Sequence, residues 1–134
     1  MATRFVIADD NAMFRKTICC ILGALDSKYE LVGAAKDGND AIALVERYAP
    51  DLLILDLHMP ELDGFGVMLH IRDRYPRLKI LVLTLDDSQY LEEKVRKHGA
   101  DAFCSKNCGK ADFLESLEYV MVGHGDTSTL KKGT

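Results

Sequence analysis

The sequence predicts an α/β protein built from five βα units, in which helices cover both faces of a parallel sheet. Two observations support this fold class. Short apolar runs rich in β-branched residues alternate along the chain with segments of helical periodicity, which is typical of βαβ units. These runs are also continuous, as expected of strands that are buried on both faces. Because crossovers between parallel strands are right-handed, the order predicts a doubly wound sandwich.

The strands are recognised by apolar runs that end in polar residues. They are expected, in order, at residues 4–8, 30–35, 51–57, 78–84 and 101–105. The third and fourth runs, DLLILDL and LKILVLT, are the most apolar and are expected to lie at the centre of the sheet.

The helices are expected between these strands, at residues 12–25, 39–48, 64–74, 88–97 and 110–122. The first and last have apolar side chains at helical spacing, namely Met13, Ile18, Ile21, Leu22 and Leu25, and Phe113, Leu114, Leu117 and Val120. Asn39 and Ser88 are expected to cap the second and fourth helices, and Gly99 to follow the fourth. Pro50 and Pro76 mark helix ends, because the residue before a proline disfavours the helical conformation.

Length and composition indicate one globular domain. The chain has 134 residues, of which 48% are hydrophobic and 28% charged. We expect the domain to cover residues 1–123, with a polar tail or truncated linker at 124–134. The formal net charge of −4 argues mildly against nucleic acid binding by this segment. The apolar runs are too short to cross a membrane and no signal peptide is visible, so a cytoplasmic location is expected.

The four cysteines, Cys19, Cys20, Cys104 and Cys108, are expected to be buried or half-buried thiols in a reducing compartment. Cys104 and Cys108 have C-x3-C spacing, which is a weak zinc signal because no second pair of ligands lies nearby in the sequence.

Polar side chains follow all five strands, although Lys36 and Asp37 after the second are less distinctive than the others. Asp9 and Asp10 follow the first, Asp56 ends the third, Thr84 ends the fourth and Lys106 follows the fifth. In the flavodoxin-like strand order 2-1-3-4-5, the first and third strands are neighbours at the switch point, where open parallel sheets bind ligands. The three carboxylates are therefore expected to lie together, with the threonine and the lysine beside them.

Such a cluster has a chemical meaning, although any one aspartate alone would more often cap a helix. Two like charges about 4 Å apart repel by about 4 kcal/mol at an effective dielectric constant of 20. Three carboxylates therefore need a cation, and Mg²⁺ (or Mn²⁺) suits hard oxygen ligands. A metal, a lysine and a threonine around one nucleophilic carboxylate indicate a phosphoryl site.

These residues resemble the receiver domains of bacterial two-component response regulators over residues 3–123. The resemblance lies in four motifs that occur in order: VIADDN, DLHMPELDG, ILVLT and AFCSK. Through KILVLTLDDSQYLEEKVRKHGADAF the chain is most similar to receivers of the LuxR/NarL type.

The resemblance implies roles for the site residues. Asp56 would be the phosphoacceptor, taking a phosphoryl group from a sensor histidine kinase or a phosphotransfer protein. Asp10 would bind Mg²⁺ directly and Asp9 through water, and Asp56 and the backbone carbonyl of His58 would complete the protein ligands. Lys106 would pair with the phosphoryl group. A receiver catalyses only its own phosphorylation and autodephosphorylation, so it is not an enzyme in the usual sense.

The resemblance also implies a switch. Thr84 would move to hydrogen-bond the phosphoryl group, and Phe103 occupies the position of the rotating aromatic residue. The responding face would be that of the fourth helix, fifth strand and fifth helix, about residues 86–122, which is also a possible homodimer face. Output would be transcriptional, through a C-terminal DNA-binding domain that the 134 residues do not include.

Several positions depart from the family pattern. His58, Leu85 and Asp86 stand where side chains tune the phosphorylation and hydrolysis rates, and Leu85 replaces a small residue. Asn107 follows Lys106 in place of the usual proline, and a cis bond there would cost about 3–4 kcal/mol, so a trans bond is expected.

Three alternatives stay open at this point. The chain could be a stand-alone receiver, or an interaction module that works without phosphorylation. A Mg²⁺-dependent phosphohydrolase with an aspartyl-phosphate intermediate ranks lowest, because His58 replaces the second acid of its Asp-x-Asp motif.

Overall fold

The computed structural model describes residues 2–86 and 88–122, which form one five-stranded parallel sheet with five helices. The strands lie in the order β2-β1-β3-β4-β5, so the predicted fold class and strand order are confirmed. The elements are β1 (Thr3–Ala8), α1 (Ala12–Gly23), β2 (Tyr29–Ala35), α2 (Gly38–Tyr48), β3 (Leu52–Leu55), α3 (Gly64–Ile71), β4 (Lys79–Thr84), α4 (Leu91–Lys97), β5 (Ala102–Ser105) and α5 (Lys110–Met121). The predicted tail at 124–134 lies outside the described residues.

Each face of the sheet carries its own apolar core. Alternate side chains of the central strands point to opposite faces, as the two-residue period of a strand requires. One core packs α2, α3 and α4 against Val6, Leu53, Leu55, Ile80 and Val82. The other packs α1 and α5 against Phe5, Ile7, Leu52, Ile54, Leu81 and Leu83. Because both faces are covered, β3 is apolar and buried along its whole length, and polar side chains collect at the ends of the central strands.

Two helix starts differ from the prediction. Asp37, not Asn39, caps α2, where its carboxylate accepts the N–H of Asp40 at 2.8 Å. α4 begins at Leu91 with Tyr90 rather than Ser88 at the N-cap position and without a side-chain cap, and the hydroxyl of Ser88 donates to Asp86 at 2.6 Å. In both places several polar residues compete for one cap, and the hydrogen bonds of the preceding loop decide between them.

Two helix ends can be compared with the prediction. α3 ends at Ile71 rather than at residue 74, and its C-cap Arg72 still has helical angles, with φ −62° and ψ −44°. Gly99 follows the end of α4 with φ +112°, a left-handed conformation that glycine adopts without strain, as predicted.

The cysteines are free thiols, and Cys104 is buried and Cys19 and Cys108 are half-buried as expected. Cys20 is exposed, since it lies on the solvent side of α1. Among the described residues, no helix is long and apolar enough to span a membrane.

Candidate functional site

Three carboxylates converge at the carboxyl edge of the sheet. β1 and β3 pair in parallel with Ala8 opposite Leu55, so Asp9, Asp10 and Asp56 leave neighbouring strands at the same level. One oxygen of each carboxylate lies within 4.8 Å of the others. Asp9 and Asp56 are only 2% and 5% exposed, whereas Asp10 faces solvent. The structure therefore brings the predicted acidic cluster together, with one open side.

Asn11 fixes the geometry of this acidic pair. Its side chain caps α1 by accepting the N–H of Phe14 at 2.9 Å, and its own N–H donates to Asp9 Oδ1 at 2.9 Å. Arg15 donates to the backbone carbonyl of Asp9 at 2.7 Å. Since Asn11 is the cap, neither Asp9 nor Asp10 is used to begin the helix, and both carboxylates remain available to the site.

Lys106 neutralises part of the acidic charge. Its Nζ lies 2.6 Å from Asp9 Oδ2 and 3.6 Å from Asp56 Oδ2, and its side chain is only 9% exposed. The Lys106 N–H donates to the Thr84 carbonyl at 2.8 Å, which ties its loop to the end of β4. The Lys106–Asn107 bond is trans, so this placement needs no proline.

Phe14 contacts Lys106, which was not predicted from the sequence. The Lys106 Nζ lies 4.4 Å from the centroid of its ring, in a cation–π contact. A sequence signal existed, because an aromatic side chain in the first turn after the acidic pair faces the same edge of the sheet. Phe14 therefore forms one wall beside the lysine.

Burial raises the pKa of Asp56, and the nearby Asp9 raises it further. Lys106, a hydrogen bond from the Thr84 hydroxyl and the backbone N–H of His58 act in the opposite direction. A carboxyl whose pKa is raised by folding stabilises the fold fully below its unfolded-state pKa, and that stabilisation is lost as the pH rises through the folded-state pKa. At neutral pH the ionised Asp56 therefore opposes folding unless a cation joins it.

Thr84, Leu85 and Phe103 surround this centre in different ways. Thr84 is fully buried, and its Oγ1 accepts the N–H of Asp86 at 3.4 Å. Leu85 is 61% exposed and extends into solvent. Phe103 is half-buried and packs against the core under α4. Thr84 thus lies at the site, while Phe103 lies on the adjoining face.

His58 and Asp86 form a hydrogen-bonded pair at the rim of the site. His58 Nε2 lies 2.8 Å from Asp86 Oδ2, which links the loop after β3 to the loop after β4. Ser88 donates to the other oxygen of Asp86 through its N–H at 3.0 Å and its hydroxyl at 2.6 Å. The hydrogen bond from the Ser88 hydroxyl is the largest cause, and the hydrogen bond with His58 the second, of a lowering of the pKa of Asp86 to about 2. Asp86 therefore stays ionised at neutral pH. The contact between His58 and Asp86 was not predicted from the sequence.

Gly64 packs against the backbone of the Asp56 loop. Its N–H donates to the Leu57 carbonyl at 2.9 Å, and a Cβ at Gly64 would lie 2.6 Å from the Asp56 carbonyl oxygen. Gly64 is therefore needed for close packing and not for a positive φ.

Gly64→Ala is expected to destabilise the protein by about 1–3 kcal/mol, because backbone atoms cannot yield as a flexible side chain does. Urea unfolding would measure the change. Gly23→Ala is the matched control, since no heavy atom lies within 4 Å of its added Cβ and alanine favours the helix by up to about 1 kcal/mol. Equal stabilities of the two variants would show that the contact at Gly64 is not tight.

Comparison with known proteins agrees with this geometry. A family model described as response regulator receiver domain matches residues 5–118. The chain is 33% identical over 120 residues to the transcriptional regulatory protein DegU of Brevibacillus brevis, covering 90% of this chain and 50% of DegU. It is 37% identical over 122 residues to the oxygen regulatory protein NreC of Staphylococcus aureus, covering 90% and 55%. The chain thus spans about half the length of these curated relatives.

Solved structures give the same result. The signal receiver domain of the NarL response regulator from Mycobacterium tuberculosis superimposes with a TM-score of 0.84 at 26% identity, covering 92% of this chain and 98% of that one. A DNA-binding response regulator of the LuxR family from Staphylococcus aureus gives 0.80 at 28% identity, covering 88% and 98%. The sheet order, the acidic edge and these matches together lead to one conclusion: this chain belongs to the response regulator receiver domains and is of the LuxR/NarL type.

Proposed function

We propose that Asp56 accepts a phosphoryl group from the phosphohistidine of a sensor histidine kinase or a phosphotransfer protein. The observation that carries this proposal is the placement of Asp56. Its buried carboxylate accepts a hydrogen bond from Thr84, lies near the ammonium group of Lys106, and has two further carboxylates beside it. A carboxylate in this setting is a nucleophile surrounded by groups that bind phosphoryl oxygens.

The residues present fit a divalent metal. Hard carboxylate oxygens are what Mg²⁺ or Mn²⁺ prefers. Burial, and after it the charge of Asp9, raises the pKa of Asp56 despite the opposing effect of Lys106, so a further cation would favour the ionised carboxylate. Asp10 would bind the ion directly because its carboxylate is exposed, and Asp9 would assist through water because it already pairs with Lys106. Asp56 and the backbone carbonyl of His58 would complete the protein ligands. A bound ion supplies positive charge to the phosphoryl oxygens.

In the transfer, an oxygen of ionised Asp56 attacks phosphorus and the P–N bond to the donor histidine breaks. The imidazole leaves with the bonding electron pair and takes a proton from solvent. Lys106 turns from Asp9 toward a phosphoryl oxygen, and the Thr84 hydroxyl donates to another. Each chain group thus exchanges a carboxylate partner for a phosphoryl partner.

The new charge drives the switch. Phosphorylation adds about two negative charges, and the movement of Thr84 empties space beside β4 that Phe103 can fill from β5. The responding surface is the face of α4, β5 and α5, which also serves as the homodimer contact.

We infer that output is transcriptional. DegU is a transcriptional regulatory protein, and about half of its length lies outside the match to this chain. DNA binding would belong to a C-terminal domain, with no nucleic acid contact by this acidic receiver and a cytoplasmic location for the whole regulator.

Incubation with acetyl phosphate or phosphoramidate and Mg²⁺, followed by intact mass measurement, tests the proposal. One phosphoryl group per chain is expected, and EDTA is expected to prevent its uptake. Multiple turnover of small phosphates would indicate a phosphohydrolase instead. No uptake from small donors or from a histidine kinase would indicate an interaction module that works unphosphorylated.

The hydrogen-bonded pair of His58 and Asp86 is expected to slow hydrolysis of the phosphorylated form, because it bridges the loops after β3 and β4 at the rim of the site, where we propose that the attacking water enters. His58→Asn should therefore accelerate autodephosphorylation about two- to tenfold, which corresponds to about 0.4–1.4 kcal/mol in activation free energy. Asp86→Ala, which removes the acceptor of the same pair, should give a similar increase.

His70→Asn is the control, because the exposed imidazole of His70 forms its hydrogen bond with the Gly66 carbonyl of its own helix. The decay of phosphoprotein after removal of the donor provides the measurement. A rate for His58→Asn within twofold of the unaltered protein would contradict this role.

A further inference from the structure

A pair of thiols flanks the functional lysine. Cys104 lies in β5 and Cys108 in the loop before α5, and their Sγ atoms are 2.8 Å apart. The sulfurs are therefore in contact, with Lys106 midway between them in the sequence. Cys104 is buried, and Cys108 is half-buried.

A tight turn brings the two cysteines together. The Cys108 N–H donates to the Ser105 carbonyl at 3.0 Å, and the Asn107 N–H donates to Ser105 Oγ at 3.0 Å. The chain therefore folds back over the end of β5 directly after Lys106. Spacing alone did not reveal this contact, because it depends on the turn.

The pair can be reached from outside the protein. Cys108 lines a cavity of about 270 Å³ between α1 and α5, together with Phe14, Lys106 and Phe113. Cys104 lies beneath it against the core. A small oxidant that enters the cavity meets Cys108 first, with Cys104 in contact behind it.

We propose that Cys104 and Cys108 form a peroxide-sensitive dithiol whose disulfide restrains the Lys106 loop. Cys108 attacks hydrogen peroxide, the O–O bond breaks, and a sulfenic acid and water result. Cys104 then attacks that sulfur, the S–O bond breaks, and the oxygen leaves as water. Two thiols and one peroxide thus give one disulfide and two waters, with sulfur oxidised and peroxide oxygen reduced.

In the reduced pair Cys108 is held in its thiol form. Burial, with the hydrogen bond to Cys104 as the second cause, raises the pKa of Cys108 to about 12. Because the thiolate is the reactive species, the pair reacts slowly at neutral pH and responds to sustained rather than brief peroxide exposure.

Oxidation acts on the lysine. A disulfide has an S–S length of about 2.05 Å, so closing it draws the two ends of the lysine turn together. Lys106 is paired with Asp9 and must turn toward the phosphoryl group. This consequence rests on the proposed function, whereas formation of the cross-link does not. We expect the oxidised protein to accept phosphoryl groups at least threefold more slowly.

Graded hydrogen peroxide on the full, reduced chain tests the site, with alkylation of remaining thiols, intact mass and peptide mapping. The expected product has lost two hydrogens, is linked between residues 104 and 108, and is restored by reductant. Cys104→Ala and Cys108→Ala should each prevent this loss. A variant carrying Cys19→Ala and Cys20→Ala should retain it, because the contacting sulfurs are those of Cys104 and Cys108, and Cys19 and Cys20 lie in α1. Circular dichroism checks that each variant is folded.

Overoxidation of Cys108 without a cross-link, linkage through Cys19 or Cys20, or no loss of hydrogens would overturn the dithiol. The uptake of phosphoryl groups from acetyl phosphate by reduced and oxidised protein tests the consequence. An unchanged rate in the cross-linked protein would overturn control of Lys106. Failure of even the reduced protein to accept phosphoryl would count against the proposed function, while the mapped cross-link would still confirm the dithiol.

Discussion

Asp56→Asn is expected to abolish phosphoryl uptake and, at the same time, to stabilise the protein. Uptake from acetyl phosphate should fall at least about a hundredfold, since Asp56 is, among the described residues, the carboxylate that contacts both Thr84 and Lys106. The metal-free variant should be more stable at neutral pH by about 1–2 kcal/mol, because it removes a buried charge that Asp9 repels.

The pH dependence of this gain has a definite sign. Folding raises the pKa of Asp56, so the unaltered protein is relieved of the charge when the carboxyl is protonated. The stability difference from Asp56→Asn should therefore shrink as the pH falls toward the unfolded-state pKa of an aspartate. Mg²⁺ should shrink it too, by stabilising the unaltered protein more.

Urea unfolding at several pH values, with and without Mg²⁺, measures both effects. Asp73→Asn is the matched control, since it removes an exposed carboxylate and should change neither uptake nor stability by more than about 0.5 kcal/mol. Phosphoryl uptake by Asp56→Asn at the unaltered rate, or a loss of stability on removing the charge, would contradict the site as described.

Lys106→Met is expected to have the largest effect on stability. The change leaves the carboxylates of Asp9 and Asp56 buried without their cation, and breaking such a pair costs about 3–5 kcal/mol. The loss should be partly recovered by Mg²⁺, because the metal supplies positive charge to the same oxygens, and by adding Asp9→Asn, which removes one of the unpaired charges.

Lys97→Met is the control for this change. Lys97 pairs with Glu93 at 3.9 Å on the exposed surface of α4, where an ion pair contributes less than about 1 kcal/mol. Chemical denaturation in the absence of metal compares the two variants. If Lys106→Met cost no more than Lys97→Met, the lysine would not be neutralising the buried acids.

Much of the site followed from the order of the strands. Polar residues at the carboxyl ends of parallel strands meet at one edge, so Asp9, Asp10, Asp56, Thr84 and Lys106 were predicted together and are found together. Hydrophobic pattern carries this information, because it defines both the strands and the points at which they end.

What was missed depends on side-chain geometry within loops. The contact of His58 with Asp86 joins residues that are 28 apart, and no periodicity encodes it. The caps at Asp37 and Asn11 likewise depend on which of several neighbouring polar groups lies within hydrogen-bond distance of a free N–H. Such choices depend on a few tenths of an ångström in the turns, which a pattern of residue types does not contain.

Chemical mapping of the phosphorylated residue distinguishes Asp56 from the two carboxylates beside it. Phosphorylated protein would be reduced with borohydride, which converts an aspartyl phosphate to homoserine, then digested and sequenced by mass spectrometry. We predict homoserine at position 56 and unaltered aspartate at Asp9 and Asp10. Homoserine at either of those two positions, or an unaltered Asp56 in protein that carries a phosphoryl group, would show that Asp56 is not the phosphoacceptor.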